Sequence, residues 1–148
     1  MKYMLALLLL CLPSVLLAQP NFSQQPPTDQ SNYLAQIELH TISELHALLQ
    51  RTDTLFNEGQ LDRQSPVVFV LHGDEGRAFM KDSYQMNKEV VDLAARLTAF
   101  QAVDIRVCET WMGSRGLDKT GLQPFVDSVP VGPAEVIRLI EEEQYSYF

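Results

Sequence analysis

From Tyr33 onward, short apolar runs alternate with stretches of helical periodicity. Ala35-Gln36-Ile37-Glu38-Leu39 alternates with period two and predicts a first strand. Thr41 or Ser43 then caps a helix whose apolar face is Leu45, Leu48, Leu49, Leu55 and Phe56, ending near Gly59. The unbroken apolar run Pro66 to Leu71, closed by His72-Gly73-Asp74, suits a strand buried on both faces. A second helix centres on Val90, Val91, Leu93, Ala94 and Leu97, and Val103 to Cys108 reads as the third strand. Glu109 to Arg115 forms a turn or short helix, with Gly113 and Gly116 as stops. Val129-Pro130-Val131 is a short fourth strand, and Pro133 opens a last helix through Val136, Ile137 and Ile140. The tail Tyr145 to Phe148 adds an edge strand.

Strands and helices alternating in this way imply a parallel sheet covered on both faces. The expected fold is a three-layer α/β/α domain over 33–148, flavodoxin-like in its layering, with a mostly parallel sheet of about five strands. Sequence does not order those strands. It does place a site at their carboxyl ends, where helices leave the sheet. Three chemically capable side chains fall there: His40 after the first strand, His72 after the second and Cys108 after the third.

The thiolate is the reactive form of cysteine, and helix N-termini and cations favour it. Glu109 to Met112 would present backbone N–H groups just past the Cys108 sulfur. Arg115 follows within two turns as a candidate thiolate stabiliser, and Arg106, two residues back on the strand, shares the cysteine's face. Glu109 opposes them with a negative charge. The alternative is an inert buried thiol. His72, followed by the sharply turning Gly73, is a candidate base or orienter; otherwise it is a histidine bonded to a loop carbonyl. No C-x-x-C or H-x-x-x-H spacing favours a metal. The glycine fingerprints for phosphates and dinucleotides are absent, as is a G-x-S-x-G elbow, so no cofactor is expected.

Residues 1–18 read as a secretory signal: Met1-Lys2, an apolar run from Tyr3 to Leu17 and a small residue, Ala18, for cleavage. The run is short for a membrane span and contains Pro13, so cleavage leaves no stable membrane insertion. Residues 19–32, rich in Gln, Pro, Ser and Asn, read as a disordered linker. The expected location is periplasmic or secreted, where thiols usually pair. Cys11 departs with the signal, so Cys108 has no partner in its own mature chain. The chain's net charge of −8 argues against nucleic acid or an anionic membrane as partner. Trp111, Met112, Phe125, Tyr145, Tyr147 and Phe148 are residue types enriched in interface cores and point to a homo-oligomer.

Three segments carry a resemblance to a family: VVFVLHGDEG, VDIRVCETWMGSRGL and VDSVPVGPAEVIRLIEEEQYSYF. Together they resemble the DsrE/DsrF-like sulfur-handling proteins over Ala35 to Phe148. The most telling features are the cysteine ending the third strand and the Val-Gly-x-x-Glu-x-x-x-Leu helix before a Tyr-x-Tyr tail. The resemblance implies that Cys108 carries sulfur as a persulfide, passed between a donor and an acceptor protein. It also implies assembly as a trimer or hexamer. The chain departs from it in carrying Glu109, where a small residue is common, and in reading as exported. Two other functions fit the same fold: a non-catalytic module that binds a small ligand or serves assembly, and a rhodanese-type sulfurtransferase. The latter would need a cradling loop from Glu109 to Gly113.

Overall fold

Val67–Leu71 is buried at every position, as its apolar run requires, and it forms the middle strand of five. The computed structural model of the chain describes residues 32–62 and 64–148. The expected signal (1–18) and all but the last residue of the expected linker (19–32) lie outside them. The elements run β1 (Tyr33–Leu34), α1 (Ile42–Asn57), β2 (Val67–Leu71), α2 (Lys88–Ala99), β3 (Val103–Cys108), α3 (Glu109–Ser114), β4 (Asp127–Val129), α4 (Gly132–Glu141) and β5 (Ser146–Tyr147). Two consecutive 3₁₀ turns, Asp74–Phe79 and Lys81–Met86, join β2 to α2.

The sheet order is β4-β3-β2-β1-β5, and every pairing is parallel. The pairing of β2 with β3 aligns Leu71 with Val107, so the residues one step further on, His72 and Cys108, emerge together. Alternation divides the sheet between two cores. Val67, Phe69 and Leu71 with Val103, Ile105 and Val107 meet α1, α2 and α3, through residues such as Leu45, Leu49, Ala94, Leu97 and Met112. Leu34, Val68, Val70 and Val129 face the other way, onto Leu139, Val136 and Ile140 of α4. The protein is therefore an α/β fold with a five-stranded, all-parallel sheet between two helical layers. Of the apolar residues expected to seat α4, Ile137 is 55% exposed, and Leu139 takes its place in the core.

Two strands differ from expectation for local reasons. Residues 35–39 do not form β1, because the backbone N–H groups of Glu38 and Leu39 donate to the Glu44 carboxylate, both at 2.9 Å. Glu44 sits in the first turn of α1, where Thr41 Oγ1 caps its N–H. The strand is instead Tyr33–Leu34, and Leu34 O accepts from Phe148 N. β4 likewise ends at Val129 rather than running to Val131. Pro130 has no N–H to give a ladder, and its carbonyl accepts from Thr110 N and Oγ1. The tail forms the edge strand, paired to β1.

Candidate functional site

Cys108 ends β3 and is also the N-cap of α3. Its sulfur accepts from Trp111 N–H at 3.4 Å and from Gly132 N–H at 3.1 Å. The second donor belongs to the first residue of α4, a helix without a side-chain cap whose next residue, Pro133, has no N–H. Two helix N-termini thus converge on one sulfur, and each brings partial positive charge. The thiol is 3% exposed, beneath the segment Pro130–Gly132. Gly132 admits no side chain: a Cβ there would stand 2.7 Å from His72 Cβ and 3.1 Å from Cys108 Cβ. That shared closeness makes His72 and Cys108 side-by-side neighbours under the start of α4.

His72 carries a second histidine against it. The His40 and His72 ring centroids are 4.4 Å apart, and His40 Nδ1 lies 3.1 Å from Glu75 Oε1. Glu75 is fully buried, and the same oxygen accepts the backbone N–H groups of His72 and Gly73, each at 3.0 Å. Its other oxygen, Oε2, is buried with no hydrogen-bond partner. Burial pushes the His72 titration below its ordinary value; the charge of His40 adds to this and Glu75 opposes it. His72 is therefore held in the neutral form, able to accept a proton.

The two arginines expected near the sulfur are placed elsewhere. Arg106 shares the cysteine's face of β3, but its guanidinium binds Asp104 at 2.6 Å and Glu135 of α4 at 2.5 Å. Arg115 lies at the opposite end of α3 from Cys108, paired with Asp74 at 2.9 Å and stacked over Trp111. Glu109 turns toward β4, accepting from Ser128 Oγ at 2.6 Å with Lys119 nearby, and these partners hold its carboxyl below the usual range. A cavity of about 230 Å³ lies beside α3, lined by Glu109, Met112, Gly113, Leu117, Asp118 and Lys119. Neither Cys108 nor His72 lines it. Among the described residues, no three His, Cys, Asp or Glu side chains cluster as metal ligands, and no helix is long and apolar enough to cross a membrane.

Glu75 is the site residue that sequence reading misses. The sequence signal is weak: Asp74-Glu75 puts acid in the first turn after Gly73, and one of the two reaches back to the preceding N–H groups. Of the residues offered for an interface, Trp111, Met112 and Phe148 are buried in the chain's own core, and Phe125 packs against it. Tyr145 is partly buried under α4, and Tyr147 is 51% exposed.

Comparison with known proteins defines this chain by its fold. No family model and no curated protein matches it. Among solved structures it is similar to the Protein of Unknown Function MTH1491 from Methanobacterium thermoautotrophicum, at 20% identity and a TM-score of 0.56. The match covers 79% of this chain and 94% of that one. At that identity the likeness extends to the α/β fold and no further.

Proposed function

We propose that this chain is an exported sulfur carrier, DsrE-like in kind, that accepts and passes sulfane sulfur as a persulfide on Cys108. One observation supports this reading above all: two backbone N–H groups at the starts of α3 and α4 donate to Sγ. Donors so placed would hold the anionic outer sulfur of a persulfide. The carrier needs no bound cofactor, only a donor and an acceptor protein. Assembly as a trimer or hexamer belongs to the same proposal. Within it, the apolar side chains left outside the core, such as Ile137 and Tyr147, are what such an interface would use.

The experiment is intact-mass measurement after incubation with polysulfide, in a Cys11→Ser background so that Cys108 is the one thiol. Loading appears as increments of about 32 Da per sulfur atom, and Cys108→Ser abolishes them. The 3% exposure of Cys108 favours a second reading, a non-catalytic module that binds a small ligand at the strand ends. A folded protein that takes up no sulfur removes the carrier and leaves that reading standing.

A further inference from the structure

Cys108 is buried by two unlike kinds of neighbour. Val107, Trp111 and Met112 share the larger core with it, and each is itself buried there. The segment 130–132, which closes over the sulfur, buries almost nothing of its own. Pro130, Val131, Pro133 and Ala134 are all exposed, and Gly132, the buried residue among them, has no side chain. Lifting the start of α4 therefore uncovers the thiol and takes no side chain out of a core. Moving α3 instead would unseat Trp111 and Met112.

The segment is also lightly tied. The β3–β4 ladder ends at Val129, paired with Cys108, and neither Pro130 nor Pro133 has an N–H to give. Apart from the helical bonds of α4 itself, three hydrogen bonds hold residues 130–132 among the described residues. Pro130 O accepts from Thr110 N at 3.2 Å and from Thr110 Oγ1 at 2.8 Å, and Gly132 N–H donates to Sγ at 3.1 Å. Thr110 and Pro130 are exposed, so water replaces the two Thr110 bonds when they part. α4 starts without a side-chain cap, and its anchors in the second core, Val136, Leu139 and Ile140, lie past its first turn. A helix end so placed frays at little cost.

We propose that residues 130–132 and the first turn of α4 form a cover that opens on its own. The sheet and the remainder of α4 stay folded, and the Thr110 hydroxyl is the latch. The thiol is both the guarded group and the last tie, because the cover closes onto Sγ through Gly132 N–H. Such local opening is expected where buried apolar contacts are few and hydrogen bonds face solvent. The cover gives the carrier reading its route of access, yet it stands on the closed geometry alone and is tested without sulfane chemistry.

Labelling of Cys108 by 4,4′-dithiodipyridine is followed at fixed pH in the Cys11→Ser chain, from no urea up to the unfolding transition. The expected rate is about 10²-fold below that of the urea-unfolded chain, the equivalent of three net hydrogen bonds. It stays nearly constant up to the transition, since a short segment exposes little surface. Unfolding of the whole chain would instead protect by about 10⁴-fold or more, and its population climbs steeply with urea. Thr110→Val keeps the shape and the backbone bond but loses the hydroxyl, and it raises the rate about 5-fold, the equivalent of one net hydrogen bond. Thr110→Ser keeps the hydroxyl and the wild-type rate. A rate that climbs with urea at the slope of equilibrium unfolding overturns the proposal, as does a folded chain labelled as fast as the unfolded one. A Thr110→Val chain that is folded by circular dichroism and reacts at the wild-type rate overturns it too. Should Thr110→Val not fold, the urea series with Thr110 in place decides alone. Polysulfide loading of the same chain separates the two ideas. Opening without loading keeps the cover and removes the carrier; loading whose rate tracks whole-chain unfolding does the reverse.

Discussion

Gly132→Ala offers a direct test of how tightly the strand ends are closed. Apolar carbons rest about 3.5–4.0 Å apart, whereas the new Cβ would stand 2.7 Å from His72 Cβ, 3.1 Å from Cys108 Cβ and 3.3 Å from His72 Cγ. Both β-carbons are fixed to strand ends, so the start of α4 must retreat by roughly 1 Å to restore contact distance. That retreat also draws Gly132 N–H away from Sγ, which it now meets at 3.1 Å. Overpacking costs about 1–3 kcal/mol and the lost hydrogen bond about 1 kcal/mol. Against this stands up to about 1 kcal/mol from alanine's helix propensity and a stiffer unfolded chain. The net expectation is a destabilisation of about 2 kcal/mol, read as a lower urea midpoint by circular dichroism. Gly113→Ala is the control, because a Cβ there meets nothing within 4 Å and should leave stability unchanged or raise it. The thiol of Gly132→Ala should also react faster, since its cover has been lifted. Equal or higher stability of Gly132→Ala would refute this account of the closed strand ends.

Two further outcomes follow from the same structure. His72 titrates below the ordinary 6.5 in the folded chain, so the unfolded chain binds its proton first as pH falls, and stability drops between pH 6.5 and the lower folded value. Thermal melts from pH 7.5 downward should show that loss, and His72→Gln should flatten it; a wild-type melting temperature flat through this window contradicts the burial. Arg106→Ala leaves Asp104 without its cation and Glu135 with Arg138 alone, and should cost about 1 kcal/mol, a buried-pair penalty discounted for partial exposure and for the pair that remains. Because that guanidinium is committed to the two carboxylates, the reagent rate at Cys108 should not change, and a large change would return Arg106 to the thiol site.

An unbroken apolar run suffices to find β2, buried at every position, and apolar residues alternating with charged ones find β3, where Asp104 and Arg106 are only partly buried. Thr41 and Pro133 likewise mark helix starts through chemistry confined to one or two residues. β1 is misplaced because residues 35–39 have the right period, while the donors that would make them a strand go to Glu44. Period says nothing of where a backbone N–H finds its acceptor. Arg106 teaches the same lesson for side chains. The period-two rule puts it on the face of Cys108, yet Asp104 lies on that face too, and Glu135 arrives from a helix 29 residues later. A long side chain goes to its counter-charges, and only the fold brings those together.

What periodicity could not supply is concentrated at one place. His40 has a backbone conformation that the other described residues adopt only after helix ends. Glu75 is a buried acid with an unsatisfied oxygen, and α4 starts on an uncapped glycine whose N–H goes to sulfur. Each breaks a local rule of good folding, and each has a cost of its own. Spread over the chain, three such costs would be noise. Here His40 and Glu75 meet at His72, and Gly132 fits only because it leaves room for His72 and Cys108. Local violations that converge are the mark of a site, because a sequence free to optimise stability would have removed them independently. That convergence, more than the cysteine alone, is the reason to look for chemistry at the carboxyl ends of β2 and β3.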